Sequence, residues 1–295
     1  MKLLGTYPNG NYAVTLFDDG TKIRSNDLDN LIPEKPESMD ILITKRCEMG
    51  CPMCHEDAMK TGLHGDILNA PFLDTLLPYT ELAIGGGNPL SHPDLLQFLL
   101  RCKERNLIAN MTVHEHHFLQ YRGLLKYLTE QKLLHGLGVS VHAYEPGIIA
   151  ALQEFPNAVV HVINGVIPTY VLRCLYDHGL KLLILGYKDF RRGAAAHSCT
   201  TDLKMKSLYE KLPELVQHFQ VVSFDNLAIR QLDPKRLLSN QQWNTCYMGD
   251  DGQYTMYIDM VNRQFARSST ATERWPLLDD IKPMFDKVRS ERNLQ

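Results

Sequence analysis

No run of apolar residues in this 295-residue chain is long enough to cross a bilayer. Nor is there a surplus of positive charge to track nucleic acid or anionic lipid, since 31 Lys and Arg face 34 Asp and Glu for a formal net charge of −3. The opening Met1-Lys2-Leu3-Leu4-Gly5-Thr6 lacks the apolar centre of a secretory signal. These absences lead to three expectations: no nucleic-acid partner, no membrane, and a cytoplasmic location. Cysteine is sparse, with 7 residues, and in a reducing compartment a group of them serves metal binding or catalysis instead of a disulfide framework. With 44% hydrophobic and 22% charged residues, the chain is otherwise an ordinary globular sequence, long enough for one large domain with appendages.

Three of the cysteines are concentrated in Cys47-Glu48-Met49-Gly50-Cys51-Pro52-Met53-Cys54, directly after the apolar run Met39 to Thr44. Three thiolates on one short loop converge on a soft metal centre: zinc, copper(I) or an iron–sulfur cluster. A fourth thiol is missing, because the next cysteine is Cys102. The C-x3-C-x2-C spacing therefore leaves one coordination position without a protein ligand, unlike the paired motifs of zinc ribbons or the four-cysteine runs of ferredoxins. A Cys3His zinc knuckle that recruits His55 or His64 is the competing structural reading.

Apolar runs and turn signals divide the chain into three parts: 1–36, 37–200 and 201–295. The first alternates like a small antiparallel β-meander of about three strands, with turns at Pro8-Asn9-Gly10-Asn11 and Asp18-Asp19-Gly20-Thr21. It reads as a cover for the next domain or as a substrate clamp. In the second part strands and helices alternate six times. The strands are Met39 to Thr44, Glu81 to Ile84, Ile108 to Val113, Leu137 to Val141, Ala158 to Ile163 and Lys181 to Leu185. Helices are expected over Pro71 to Leu77 with Asn69 as cap, Ser91 to Asn106, His117 to Gln131, Pro146 to Glu154 and Thr169 to His178. Near-continuous apolar strands imply a parallel sheet buried on both faces. The expected fold is α/β, a curved partial (β/α)6 TIM-like barrel with the N-terminal β-meander and a C-terminal α+β extension. An open sheet satisfies the same pattern.

Polar groups gather where the strands end, the face on which α/β barrels build their sites. They are the cysteine loop, Gly85-Gly86-Gly87-Asn88-Pro89, Thr112 and His114, Ser140 and His142, Asn164-Gly165, and Gly186-Tyr187-Lys188. Loops are polar in any protein, and glycine marks turns. The placement of a cysteine trio among them is what that account leaves unexplained.

The triplet resembles the radical S-adenosylmethionine superfamily, and Gly86-Gly87-Asn88-Pro89 resembles that family's Gly-Gly-Glu-Pro segment. The resemblance spans roughly residues 39–193. It implies that Cys47, Cys51 and Cys54 bind three irons of one [4Fe-4S] cluster, whose open iron is chelated by the amino and carboxylate groups of S-adenosylmethionine. It further implies contacts to that cofactor from Met53, Gly85, Gly86, Gly87, Asn88, Thr112, His114, Ser140, Asn164 and Tyr187. The sequence departs from the family twice: Asn88 replaces an acidic residue, so its amide accepts from the ammonium without charge assistance, and Met53 replaces an aromatic one, packing on adenine through its polarizable sulfur. The implied chemistry is reductive cleavage to methionine and a 5′-deoxyadenosyl radical, which removes a hydrogen atom from an unactivated C–H bond. Flavodoxin or ferredoxin is the implied type of reductant.

His114-Glu115-His116-His117 raises a second possibility, since His114 and His116 point to one side of a continuing strand and an H-x-H pair can bind zinc. In the alternative, His114 faces the active site and the other two open a helix. Cys102 and Cys174 sit at helical spacings from Leu99 and Val171 and read as core thiols. Cys199 and Cys246 lie in polar, loop-like surroundings and are candidates for returning a hydrogen atom to a substrate radical. Residues Cys246 to Ser268 resemble a degenerate SPASM or twitch extension of peptide-modifying members, stripped of its other cysteines, so a second cluster is not expected. That tail makes a peptide or protein the candidate substrate. The non-enzymatic alternative is a zinc- or iron–sulfur-binding protein.

Overall fold

In the computed structural model, residues 1–28 and 30–292 are described; the last three positions of the 201–295 segment lie outside them. Strands β1 (Leu3–Asn9), β2 (Tyr12–Phe17) and β3 (Lys22–Ser25) form the expected antiparallel meander. It is fastened to the rest of the chain by buried charge. The Glu37 carboxylate takes a bidentate pair from Arg24 at 2.8 and 2.9 Å and a hydrogen bond from the Tyr12 hydroxyl at 2.6 Å. Lys22 Nζ approaches it at 3.4 Å. Glu37 precedes the strand that carries the cysteines, so the meander braces that strand from below.

The repeating part runs β4 (Ser38–Thr44), β5 (Glu81–Gly86), α1 (Leu95–Glu104), β6 (Ile108–His114), α2 (Glu115–Gln120), α3 (Arg122–Glu130), β7 (Gly136–Ser140), α4 (Ile148–Gln153), β8 (Ala158–Ile163), α5 (Thr169–Cys174) and β9 (Lys181–Leu185). The chain continues through α6 (Arg192–Ala196), α7 (Cys199–Leu215), β10 (Val221–Phe224), α8 (Asn226–Leu232), α9 (Asn240–Cys246), β11 (Thr255–Asp259), β12 (Gln264–Ala266), β13 (Trp275–Pro276) and α10 (Ile281–Arg292). One mixed sheet unites these strands in the order β10-β9-β8-β7-β6-β5-β4-β11-β12-β13. Neighbours from β10 to β11 are all parallel, and β12 and β13 continue antiparallel.

Two parallel strands thus come from the part expected to be a separate extension. The sheet is open, with β10 and β13 at its ends. It is also strongly curled: a flat arrangement would separate β10 from β11 by roughly 34 Å at about 4.8 Å per strand. Yet Asn226, just after β10, donates to Asp251, just before β11, at 2.7 Å. Lys188, beyond β9, donates to Ser269, beyond β12, at 2.8 Å.

Several expected helices are shorter. Pro71–Thr75 is a 3-10 turn with no side-chain cap, so neither the longer helix nor the Asn69 cap forms. The helix expected over His117 to Gln131 is divided at Tyr121 into α2 and α3. Pro213 lies inside α7, which ends two residues later at Leu215.

Burial of the sheet on both faces is the main correction. One face is fully covered, through Met39, Ile41, Ile43, Leu82, Ile84, Met111, Val113, Val139, Val162 and Ile184 in the main core. On the other face Asp40, Ala83, Asn110, Thr112, Ser140 and His161 are exposed or half-buried, whereas Leu42 and Tyr257 are buried in a small separate cluster. The sheet wraps around this half-open face.

Candidate metal-cluster and cofactor site

The cysteine loop leaves β4 and returns along its own base. Lys45 N–H donates to Leu63 at 2.8 Å, Met59 N–H to Lys45 at 3.0 Å, and Cys47 N–H to Met59 at 2.9 Å. On the other side the glycine segment after β5 closes against the same base, with Gly87 N–H donating to Thr44 at 2.6 Å and Asn88 N–H to Arg46 at 2.7 Å. These contacts explain two of the three glycines. A Cβ on Gly86 would stand 2.3 Å from the Thr44 carbonyl oxygen, at a φ of +115°, and one on Gly87 would stand 2.3 Å from the Arg46 oxygen. Gly85 has open space at its Cβ position.

All three sulfurs are half-buried free thiols. Burial pushes the Cys51 thiol up to about 11, and the neighbouring Cys54 and Cys47 add to it. Cys47 is raised by burial as well, with Glu48 and Cys54 contributing. Thiolates that repel one another across a common space are the donor set a cationic cluster satisfies. A single zinc would draw its sulfurs to about 3.8 Å apart, from Zn–S bonds of about 2.3 Å. Among the described residues, the three-member set with ligand atoms all within 4.8 Å of one another is His114, Glu115 and His142, and the cysteines are not such a set. The histidines of a Cys3His knuckle have other partners: His55 Nε2 lies 3.1 Å from Glu56 and 3.0 Å from Lys188, and His64 Nδ1 lies 2.9 Å from the Thr44 hydroxyl.

Beside the loop is an open recess with about 310 Å³ of atom-free space, lined by Met53, His55, Ile163, Leu185, Gly186, Tyr187 and Lys188. Two of the expected cofactor contacts, Met53 and Tyr187, therefore meet there although far apart in sequence. The Tyr187 hydroxyl donates to Gly193 at 2.7 Å, which fixes the ring. Asn164, next to Ile163, is 0% exposed. Its amide donates to Gln231 at 3.0 Å, and its Oδ1 has no partner. A buried acceptor left open costs free energy unless a donor arrives; Asn164 itself does not line the recess, its neighbour Ile163 does.

Thr112, His114 and Ser140 share the half-open face but do not line the recess. Asn88 is 2% exposed, and its Oδ1 accepts from Leu90 N–H at 3.2 Å. His116 is exposed, whereas His114 stacks on His142 with ring centroids 4.9 Å apart, so the H-x-H pair does not form. Burial pushes His114 down to about 4 against the attraction of Glu115. Glu115 accepts the backbone N–H groups of His142 at 2.9 Å and Ala143 at 3.2 Å.

Cys199 and Cys246 are exposed, and neither is in a loop. Capping boxes at Ser198/Thr201 and Ser239/Gln242 start the helices that hold them at the first position of α7 and the last of α9. Cys102 is buried as expected, but Cys174 is only half-buried.

Four polar residues of this region were not singled out in the sequence: Glu48, Asp40, Glu115 and His161. Asp40 reaches solvent only through the half-open face. The surrounding protein raises its carboxyl to about 6, opposed by Lys188 and reinforced by Asp251, Asp225 and Glu56. His161, in the apolar run Ala158–Ile163, is pushed down to about 4 by burial alone. An ionisable residue within an apolar strand was the available signal in both.

His161 gives a pH prediction. Its folded-state value lies below the unfolded value of about 6.5, so the unfolded chain binds the extra proton. The neutral ring's contribution is complete above pH ~6.5 and declines as pH falls toward ~4. Melting temperatures measured across that window should fall more gently for His161→Gln than for the wild type; equal slopes would refute the assignment.

Comparison with known proteins gives a likeness of fold. No family model matches the sequence, and no curated protein matches it. The structure is similar to SuiB of Streptococcus suis. Against SuiB bound to its precursor peptide SuiA, the TM-score is 0.58 at 12% identity, covering 88% of this chain and 67% of that one. Against SuiB bound to S-adenosylmethionine it is 0.57 at 12% identity, covering 90% and 72%. A further SuiB structure gives 0.52 at 13%, covering 79% and 60%. The shared feature is a mixed α/β fold with a large parallel sheet. No helix among the described residues is long and apolar enough to cross a membrane.

Proposed function

We propose that this chain is a radical S-adenosylmethionine enzyme acting on a peptide or protein, with its curled sheet serving as the partial barrel. The carrying observation is the conjunction of two sites: a loop of three free, half-buried thiols and, against it, the recess formed by Met53 and Tyr187 at the ends of parallel strands. The donor set and the recess fit a cluster and a nucleoside. Cys47, Cys51 and Cys54 would hold a [4Fe-4S] cluster and leave one iron for the amino acid part of S-adenosylmethionine. The bound pair supplies a 5′-deoxyadenosyl radical that removes a hydrogen atom from the substrate.

The chain's own residues position these groups and exclude water. Met53, Ile163 and Leu185 offer an apolar bed for adenine. Lys188 ties the recess to the C-terminal segment through Ser269, closing one flank of the half-open face. The remaining opening runs along Asp40, Asn110, Thr112, Ser140 and His161, where a substrate side chain would enter. SuiB, of the same fold, has been captured with S-adenosylmethionine and with a precursor peptide, which supports both the cofactor and the substrate class.

Anaerobic reconstitution with iron and sulfide, followed by EPR of the reduced protein, tests the reading. The expected result is a [4Fe-4S] signal that changes on addition of S-adenosylmethionine. A colourless protein with one tightly bound zinc, or a cluster signal indifferent to S-adenosylmethionine, would sink it.

A further inference from the structure

We propose that Glu48 supplies the carboxylate that holds the α-ammonium of S-adenosylmethionine, standing in for the acidic residue absent at Asn88. The inference rests on the cofactor reading above. Glu48 is the one carboxylate within the cysteine loop, between Cys47 and Cys51, and its side chain is 45% exposed. Exposed glutamates on loops ordinarily sample several rotamers. This one is held by a buried histidine. His117 Nε2, on a ring 1% exposed, lies 2.8 Å from its Oε1, and Asn88 is fastened two residues away through its N–H to the Arg46 carbonyl at 2.7 Å.

The orientation of Asn88 strengthens the case. Its Oδ1 is already engaged by Leu90 N–H, and what acceptor capacity remains carries no charge to assist a bond from an ammonium. An ionised carboxylate has about four lone-pair sites, so the bond to His117 leaves others open on this half-exposed side chain. The glycine segment carrying Asn88 is locked to the base of the cysteine loop through Thr44 and Arg46. The charge thus occupies the same corner of the site but is delivered from the other strand's loop.

The test measures binding, not turnover, on reconstituted protein under anaerobic conditions. Glu48→Gln should retain the visible absorbance of the cluster and bind S-adenosylmethionine roughly ten- to a hundredfold more weakly, as loss of a charge-assisted bond predicts. A deaminated analogue, with hydrogen in place of the α-amino group, should bind wild type and Glu48→Gln alike. The double variant Glu48→Gln/Asn88→Glu returns a carboxylate from the neighbouring segment and should regain most of the lost affinity; a purely structural Glu48–His117 pair would not be rescued this way. Unchanged affinity in Glu48→Gln, or an equal loss for the analogue, overturns this inference alone. Wild type that holds a full cluster and binds no S-adenosylmethionine overturns the cofactor reading and this inference together.

Discussion

Cys54→Ala is expected to abolish 5′-deoxyadenosine formation, while Cys102→Ala preserves it. In the proposed site each cysteine of the loop would hold a separate iron, so losing one thiolate removes a ligand that His55 and His64 are not free to replace: His55 is engaged by Glu56 and Lys188, and His64 by Thr44. Cys102 is a fully buried thiol packed in the main core, remote from the loop in role although similar in chemistry. Its truncation leaves a small cavity and costs about 1–2 kcal/mol by analogy with other core deletions, visible in melting but not in product. The measurement is product formation per iron in reconstituted samples. Equal loss in both variants would show that stability, not ligation, controls the activity.

The second large effect concerns the backbone. Gly86→Ala is expected to lower stability by about 3 kcal/mol, since a φ of +115° is reserved for glycine and the new methyl would press on the Thr44 carbonyl. That oxygen cannot retreat easily because it accepts the Gly87 N–H at 2.6 Å. At about 2–4 °C per kcal/mol, the melting temperature should drop by roughly 6–12 °C. Iron content after reconstitution should drop with it, because the same contact shapes the base of the cysteine loop. Gly85→Ala is the control: its Cβ enters open space, and melting should be unchanged. A Gly86→Ala protein with normal melting and full iron would remove the coupling between the two loops.

Local pattern was legible where local forces decide. The strands Ala158 to Ile163 and Lys181 to Leu185 stand at the expected bounds, since apolar runs closed by turn residues need no distant information. The meander followed from its turn signals. Glycine next to the cysteine loop was legible too, but its reason was not: Gly86 and Gly87 admit a neighbouring chain segment, which sequence reads only as room for a ligand.

Non-local pairing was out of reach. Val221–Phe224 and Thr255–Asp259 look like any short strand, and nothing in them states that one extends the sheet beyond β9 while the other lies against β4. The same limit hid the half-open face. Asp40 and His161 were passed over as isolated polar residues in apolar runs, and only the curl of the sheet reveals that their side faces a hollow. Met53 and Tyr187 were named for separate reasons, and their meeting in one recess depends on that same curl.

The strand that presents the thiols has β11 as one of its two neighbours, drawn from more than two hundred residues later in the chain. Leu42 and Gly65, on either side of the loop, both lean on Met260 just after it. During synthesis the three sulfurs therefore emerge about two hundred residues ahead of the wall that supports them. Such distant pairing also forms slowly. Iron delivered to the proposed site before β11 has formed would meet an unfinished cradle, so loading would follow the pairing of β11 with β4.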